Sequence, residues 1–175
     1  MCDARKGRVP KDVVSKIELL MSKANIKVSD RPVISVALDK EAETGKPAVA
    51  IELNDGRIIT GKTSDLLGCS SAGLLNALKA LGGIPDDIEL ISRNIIQPLQ
   101  KLKVNHMGSV NPHLHTDEIL MALSICAVTD KYAKFAIEQL DKLKNCEMHS
   151  TVLLSHVDEK TLKTLGIHLT CEPKR

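Results

Sequence analysis

A chain of 175 residues, 43% hydrophobic and 26% charged, has the composition of a folded domain with one sizeable core, which excludes wholesale disorder. Its formal charge of +2 implies neither nucleic acid nor an anionic membrane as a partner, and with Tyr132 and Phe135 as the only aromatics a base-stacking platform is excluded as well. Every apolar run is well short of the ~18 residues a membrane span requires.

In chain order, residues 1–9 are basic and turn-rich. Residues 11–24 place Val13, Ile17 and Met21 at helical spacing, with Val14, Leu20 and Ala24 widening the apolar face. Asp30-Arg31-Pro32 breaks that pattern, because the residue before proline is pushed toward extended conformations. Residues 33–44 read as a second helix, capped by Gly45 and ended by Pro47. The period then changes. Residues 48–53 and 57–60 are short strand-like runs around Asn54-Asp55-Gly56, a hairpin signal.

Residues 64–81 read as a long helix capped by Thr63 or Ser64, with Gly82-Gly83 at its end. Leu67, Leu74, Leu78 and Leu81 share one of its faces. Ser70, Gly73, Ala77 and Ala80 form a second face of small residues that lets another backbone come close. Further on, the pattern predicts a strand over 88–91, a helix over 94–105 kinked or begun near Pro98, and a loop over 108–115. Helices over 116–128 and 131–143, a strand over 150–155, a helix over 158–165 and a strand over 167–171 complete the chain. The expected fold is therefore α/β: a three-layer mixed sheet flanked by helices (residues 47–175), preceded by an N-terminal helical extension (residues 1–46). The basic start has no apolar stretch behind it, so no signal peptide is expected, and five cysteines in an ordinary core read as reduced thiols of a cytoplasmic protein.

Three constellations bear on chemistry. Gly56-Arg57-Ile58-Ile59-Thr60-Gly61-Lys62-Thr63 matches the phosphate-loop template, yet its interior is β-branched and its first glycine belongs to a hairpin signal. What survives is an anion site at a helix start, carried by Lys62, Thr63, Ser64 and Asp65; the plainer alternative is a capped helix beside a solvated lysine. The second is His113-Leu114-His115-Thr116-Asp117-Glu118, where His115, Asp117 and Glu118 can serve acid/base or ligand-binding work. Against that stands simple helix capping, with Thr116 as N-cap and both carboxylates favoured by the helix dipole. The third is Cys146-x-x-His149 with His156 and Cys171, which has one pair at zinc spacing and a scattered remainder; no metal ligand is assigned and no cofactor is named.

Longer strings carry a resemblance. Lys16-Ile17-Glu18-Leu19-Leu20-Met21, Asp30-Arg31-Pro32-Val33, Asp55-Gly56-Arg57-Ile58 through Gly61-Lys62-Thr63-Ser64-Asp65-Leu66-Leu67-Gly68, Leu114-His115-Thr116-Asp117-Glu118 and Leu169-Thr170-Cys171-Glu172-Pro173 keep one order and spacing. Together they closely resemble the C-terminal portion of the bacterial uncharacterised protein family 0371, also called domain of unknown function 1846. The resemblance runs from about Arg5 to Pro173. It implies a longer parent chain with a glycine-rich N-terminal region, some of whose members carry the label ATP-dependent peptidase. It also implies a three-layer topology of cytidine-deaminase type, without the deaminase zinc signature. Starting at Met1-Cys2-Asp3, just ahead of the first matched helix, is what a split-gene product, a truncated reading frame or a standalone module would show.

The expected function is a binding and assembly module. It would associate with itself or with the family's N-terminal region and contribute loop residues to a shared site for a small phosphorylated ligand. Two enzyme alternatives stand beside it. One is a hydrolase of nucleotide or phosphorylated substrates, with Lys62 on phosphate and His115 or Glu118 as acid/base; the other is a zinc enzyme.

Overall fold

The computed structural model describes residues 2–173. In chain order the elements are α1 (Cys2–Arg5), α2 (Lys11–Lys23), α3 (Pro32–Thr44), β1 (Ala48–Glu52), β2 (Ile58–Lys62), α4 (Cys69–Gly82) and α5 (Arg93–Asn105). They continue with α6 (Thr116–Cys126), α7 (Lys131–Ile137), β3 (Glu147–Ser150), α8 (His156–Thr164) and β4 (His168–Cys171). Short 3-10 turns at Val28–Asp30 and Leu140–Leu143 complete the set.

The four strands form one open mixed sheet in the order β2-β1-β3-β4. β1 is antiparallel to both of its neighbours, and β3 and β4 are parallel, joined through α8. Ala48, Val49, Ala50 and Ile51 are all buried, as a central strand covered on two faces requires. Val49 and Ile51 enter the large core with Leu74, Leu78, Ile119, Leu123, Leu143 and Leu162, so α4, α6 and α8 lie on that side. Ala50 points the other way and packs with Val33, Ile34 and Ala37 of α3. α3 is thus a layer against the sheet, whereas among the described residues none of α1 or α2 belongs to either core cluster. Arg31, just ahead of α3, ties it to the strands by pairing with Glu147 and donating to Thr170 Oγ1 at 2.7 Å.

The hairpin around Asn54-Asp55-Gly56 forms as the sequence indicates, with Gly56 at φ 83°. β2 then runs straight through Gly61, which explains that glycine: a Cβ there would land on the backbone of Gly73 in α4. Gly73 in turn lies against Val49, so the small-residue face of α4 receives the backbone of β2. Gly56 to Thr63 is therefore a hairpin with a packing glycine, not a strand leading into a phosphate-wrapping loop.

Several boundaries differ from the sequence expectation. α4 begins at Cys69 with Gly68 as its N-cap, because Ser64 Oγ accepts from the N–H groups of Leu66 and Leu67 and holds residues 64–67 in a turn. Residues 88–91 are not a strand; the Ile88 N–H turns back to the Pro85 carbonyl at 3.2 Å, and the segment joins no ladder of the sheet. α5 begins at Arg93 and continues through Pro98. The third strand is residues 147–150 rather than 150–155, since the ladder with β1 ends where Thr151 Oγ1 takes the Ala48 N–H at 3.0 Å. The helix expected over 131–143 stops at Ile137 and resumes as a 3-10 turn. The N-cap of α6 is His115, not Thr116.

Candidate functional site

One edge of the sheet gathers the polar chemistry. The register places the last residues of β2, β3 and β4 (Lys62, Ser150 and Cys171) beside the first of β1. From this edge α4 starts at Cys69 and α8 at His156. α6 starts there too, because a parallel bridge joins Leu67 to Leu114 and Ser71 Oγ donates to the Leu114 carbonyl at 2.9 Å. In open α/β sheets such an edge is where ligands bind.

The polar centre of the edge is Asp158, buried in the first turn of α8. Its Oδ2 lies 2.9 Å from His115 Nδ1 and accepts the Ser155 hydroxyl at 2.7 Å, while Oδ1 accepts the Thr116 N–H at 2.8 Å. Ser155 caps α8 by accepting the Asp158 N–H at 3.1 Å. Burial alone would push the Asp158 carboxyl up; the bonds from His115, Ser155 and Thr116 more than offset it, and the carboxyl ends below its ordinary value. An ionised carboxylate only accepts, so the proton of the contact sits on Nδ1. The hydrogen bond to Asp158 raises the His115 pKa against the opposing effect of burial. With Nδ1 so engaged, Nε2 is the ring atom left to meet a ligand, and 24% of the side chain is exposed.

A second network supports the same loop from behind. Lys103 of α5, with 6% of its side chain exposed, donates to Glu118 Oε2 at 2.7 Å and to the His113 carbonyl at 2.8 Å. The same Glu118 oxygen accepts the His115 N–H at 2.7 Å, so the carboxylate fixes the backbone of the histidine it follows. Asp117 accepts the Glu118 N–H at 2.8 Å and lines a cleft with His156, Lys160 and Thr161 of α8.

The residues of the other loop part company. Lys62 stands opposite Ala48 in the ladder, and therefore on the α3 face with Ala50, where it attracts Glu43. His115 belongs to the α4, α6 and α8 face. Thr63 lies on that second face, where its hydroxyl and that of Ser150 adjoin the Cys69 thiol; burial pushes this thiol up in spite of them. Ser64 is spent on the turn, and Asp65 is exposed with its carbonyl accepting from Gln100 Nε2 at 3.0 Å. The structure thus joins His115 and Glu118 through one backbone, and separates both from Lys62.

Asp158, Ser155 and Lys103 are the members of these polar networks that sequence reasoning missed. Ser155-x-x-Asp158 has the spacing of a helix cap, which it is, and nothing local says that its carboxylate also serves a histidine 43 residues earlier.

The zinc constellation does not assemble. Cys146, just ahead of β3, lies in the large core, whereas His149 stands opposite Ala50 of the α3 side; His149 Nδ1 pairs with Thr170 Oγ1 at 2.9 Å, and among the described residues no three of His, Cys, Asp and Glu converge to hold a metal.

Comparison with known proteins places this arrangement. The profile of the domain of unknown function DUF1846, C-terminal, matches residues 29–175. A UPF0371 protein of Corynebacterium efficiens is 51% identical over 174 residues, covering 99% of this chain and 35% of the relative. A UPF0371 protein of Streptococcus sanguinis is 48% identical over 171 residues, covering 98% and 35%. The chain spans about a third of the length of the curated relatives it matches. Among the described residues no helix is long and apolar enough to cross a membrane.

Proposed function

Since this chain belongs to the DUF1846, or UPF0371, family, we propose that it is a binding module supplying His115 to a ligand site shared with the N-terminal region of the longer family members. The observation that carries this reading is the 2.9 Å contact between His115 Nδ1 and Asp158 Oδ2, which orients the ring and favours its charged form. A partly exposed imidazolium beside the N-termini of α6 and α8 suits an anionic group, and a small phosphorylated ligand fits that chemistry. Thr63 and Ser155 would supply hydroxyls; Asp117 and Glu118 would hold the loop. Lys62, on the α3 face, plays no part in this site.

The same dyad supports a second reading, hydrolysis of a phosphorylated substrate, with neutral His115 taking a proton from water at Nε2 while Asp158 stabilises the cation that forms. Calorimetric titration with inorganic phosphate, AMP and ADP, on this chain and on the full-length Corynebacterium efficiens relative, tests the first reading. Binding lost in His115→Ala and kept in Lys62→Ala supports it. Equal affinity in His115→Ala, or no binding to either protein, sinks it. Turnover of a phosphoester that disappears in His115→Ala would instead establish the second.

A further inference from the structure

α2 carries a stripe of apolar side chains that the described residues cover only in part, with Val13 and Met21 half-buried and Ile17 and Leu20 exposed. Val13, Ile17, Leu20 and Met21 recur at helical spacing on one side, while Lys16 and Asp12 pair in solvent at 2.9 Å. Ile17 is 50% exposed and Leu20 63%, and Ile26 and Val28, just beyond the helix, are 54% and 55% exposed. A soluble helix with such a stripe buries it against something.

Three observations say what. The similarity to the relatives extends across α2, covering 99% of this chain, while the C-terminal domain profile begins only at residue 29; α2 therefore lies between that domain and the preceding part of the longer chains. That preceding part makes up most of their length, since this chain spans only 35% of the relative. Finally, the segment leading into α2 is fastened to the body of the domain. Lys6 Nζ lies 2.9 Å from Glu159 Oε2 and 3.4 Å from the Leu154 carbonyl, and Arg8 reaches both Glu159 oxygens at 2.9 and 3.0 Å. Burial would raise the Glu159 carboxyl, but Lys6, Lys163 and Arg8 bring it down to about 2. Glu159 directly follows Asp158, so the latch fixes the approach to α2 beside the His115 cluster.

We infer that the apolar face of α2, centred on Ile17 and Leu20, is the docking surface for the N-terminal region of the longer family members, held by the Lys6–Arg8–Glu159 latch next to the His115 edge. The inference rests on the reading above only in naming that region as the partner. Hydrogen–deuterium exchange on this chain and on the intact Corynebacterium efficiens relative tests it. The amides of residues 11–23 are expected to exchange at least tenfold faster in this chain than the aligned helix does in the relative. Equal rates in the two proteins would overturn the inference. So would a homodimer of this chain, seen by native mass spectrometry and lost in Leu20→Asp, because the occupant would then be a second copy. Neither readout involves a ligand or His115, so failure here leaves the ligand reading to its own test.

Discussion

The two loops singled out by the sequence lie side by side, joined by the Leu67–Leu114 bridge, and they differ in almost every physical respect. In the first, Lys62 and Asp65 are exposed and Ser64 Oγ turns back on its own backbone. In the second, His115, Thr116 and Glu118 are engaged by Asp158 and Lys103, contributed from 42 residues ahead in the chain and 15 behind. Both stretches have the residue types of a helix start with an anion-binding lysine or histidine. What separates them is distant: a buried carboxylate on α8 and a buried ammonium on α5 reach only one of the two. A polar motif becomes an organised site when groups far along the chain satisfy it, because buried polar atoms persist only when paired.

That contrast can be broken at its strongest point. Asp158→Ala leaves the Thr116 N–H, the Ser155 hydroxyl and the His115 ring without their shared acceptor, and the fold should lose about 3 kcal/mol by chemical denaturation. Next comes Lys103→Met, which keeps the aliphatic packing but strips the cation from Glu118 and the His113 carbonyl. A loss of about 1–2 kcal/mol is expected, with exchange-broadened amide resonances over residues 113–118. Lys62→Ala is the smallest change, expected to stay within about 0.5 kcal/mol of the parent in the same denaturation assay. A Lys62→Ala penalty equal to that of Asp158→Ala would erase the distinction between the loops.

Much of this frame was legible in the sequence, for local reasons. The Asn54-Asp55-Gly56 hairpin, the helix over 33–44 ended by Gly45 and Pro47, and the small-residue face of α4 are each written in neighbouring residues. The strand expected over 57–60 is longer than its local pattern suggests: β2 runs on through Gly61, whose missing side chain admits the backbone of Gly73. Errors arose where a longer-range contact overrode local pattern. Ser64 looked like a cap but closes a turn ahead of the real start at Cys69. Residues 150–155 looked like a buried strand, but pairing with β1 takes residues 147–150 and hands the apolar 152–154 to the loop. His115 and Glu118 were legible as candidates, whereas Asp158 was hidden by the cap it also forms. The acceptor of a histidine's proton is a fact of tertiary structure, and no spacing rule carries it.

Partly exposed His115 and buried His149 give the contrast an internal control. Asp158 raises the pKa of His115, while burial lowers that of His149, whose Nε2 lies 3.4 Å from Glu172. The raised value means that stability from the His115–Asp158 pair is full below the unfolded pKa of about 6.5 and is lost as the pH rises through the higher folded value. His149 works the other way: its contribution is present above about 6.5 and is lost as the pH falls toward its lower folded value.

The most direct measurement is an NMR titration of the histidine side chains in this chain and in Asp158→Asn. The account predicts a His115 midpoint above about 6.5 that drops in Asp158→Asn, with the His149 midpoint below about 6.5 in both proteins. A His115 midpoint at or below about 6.5, unmoved by the substitution, would contradict the claim that Asp158 organises this site.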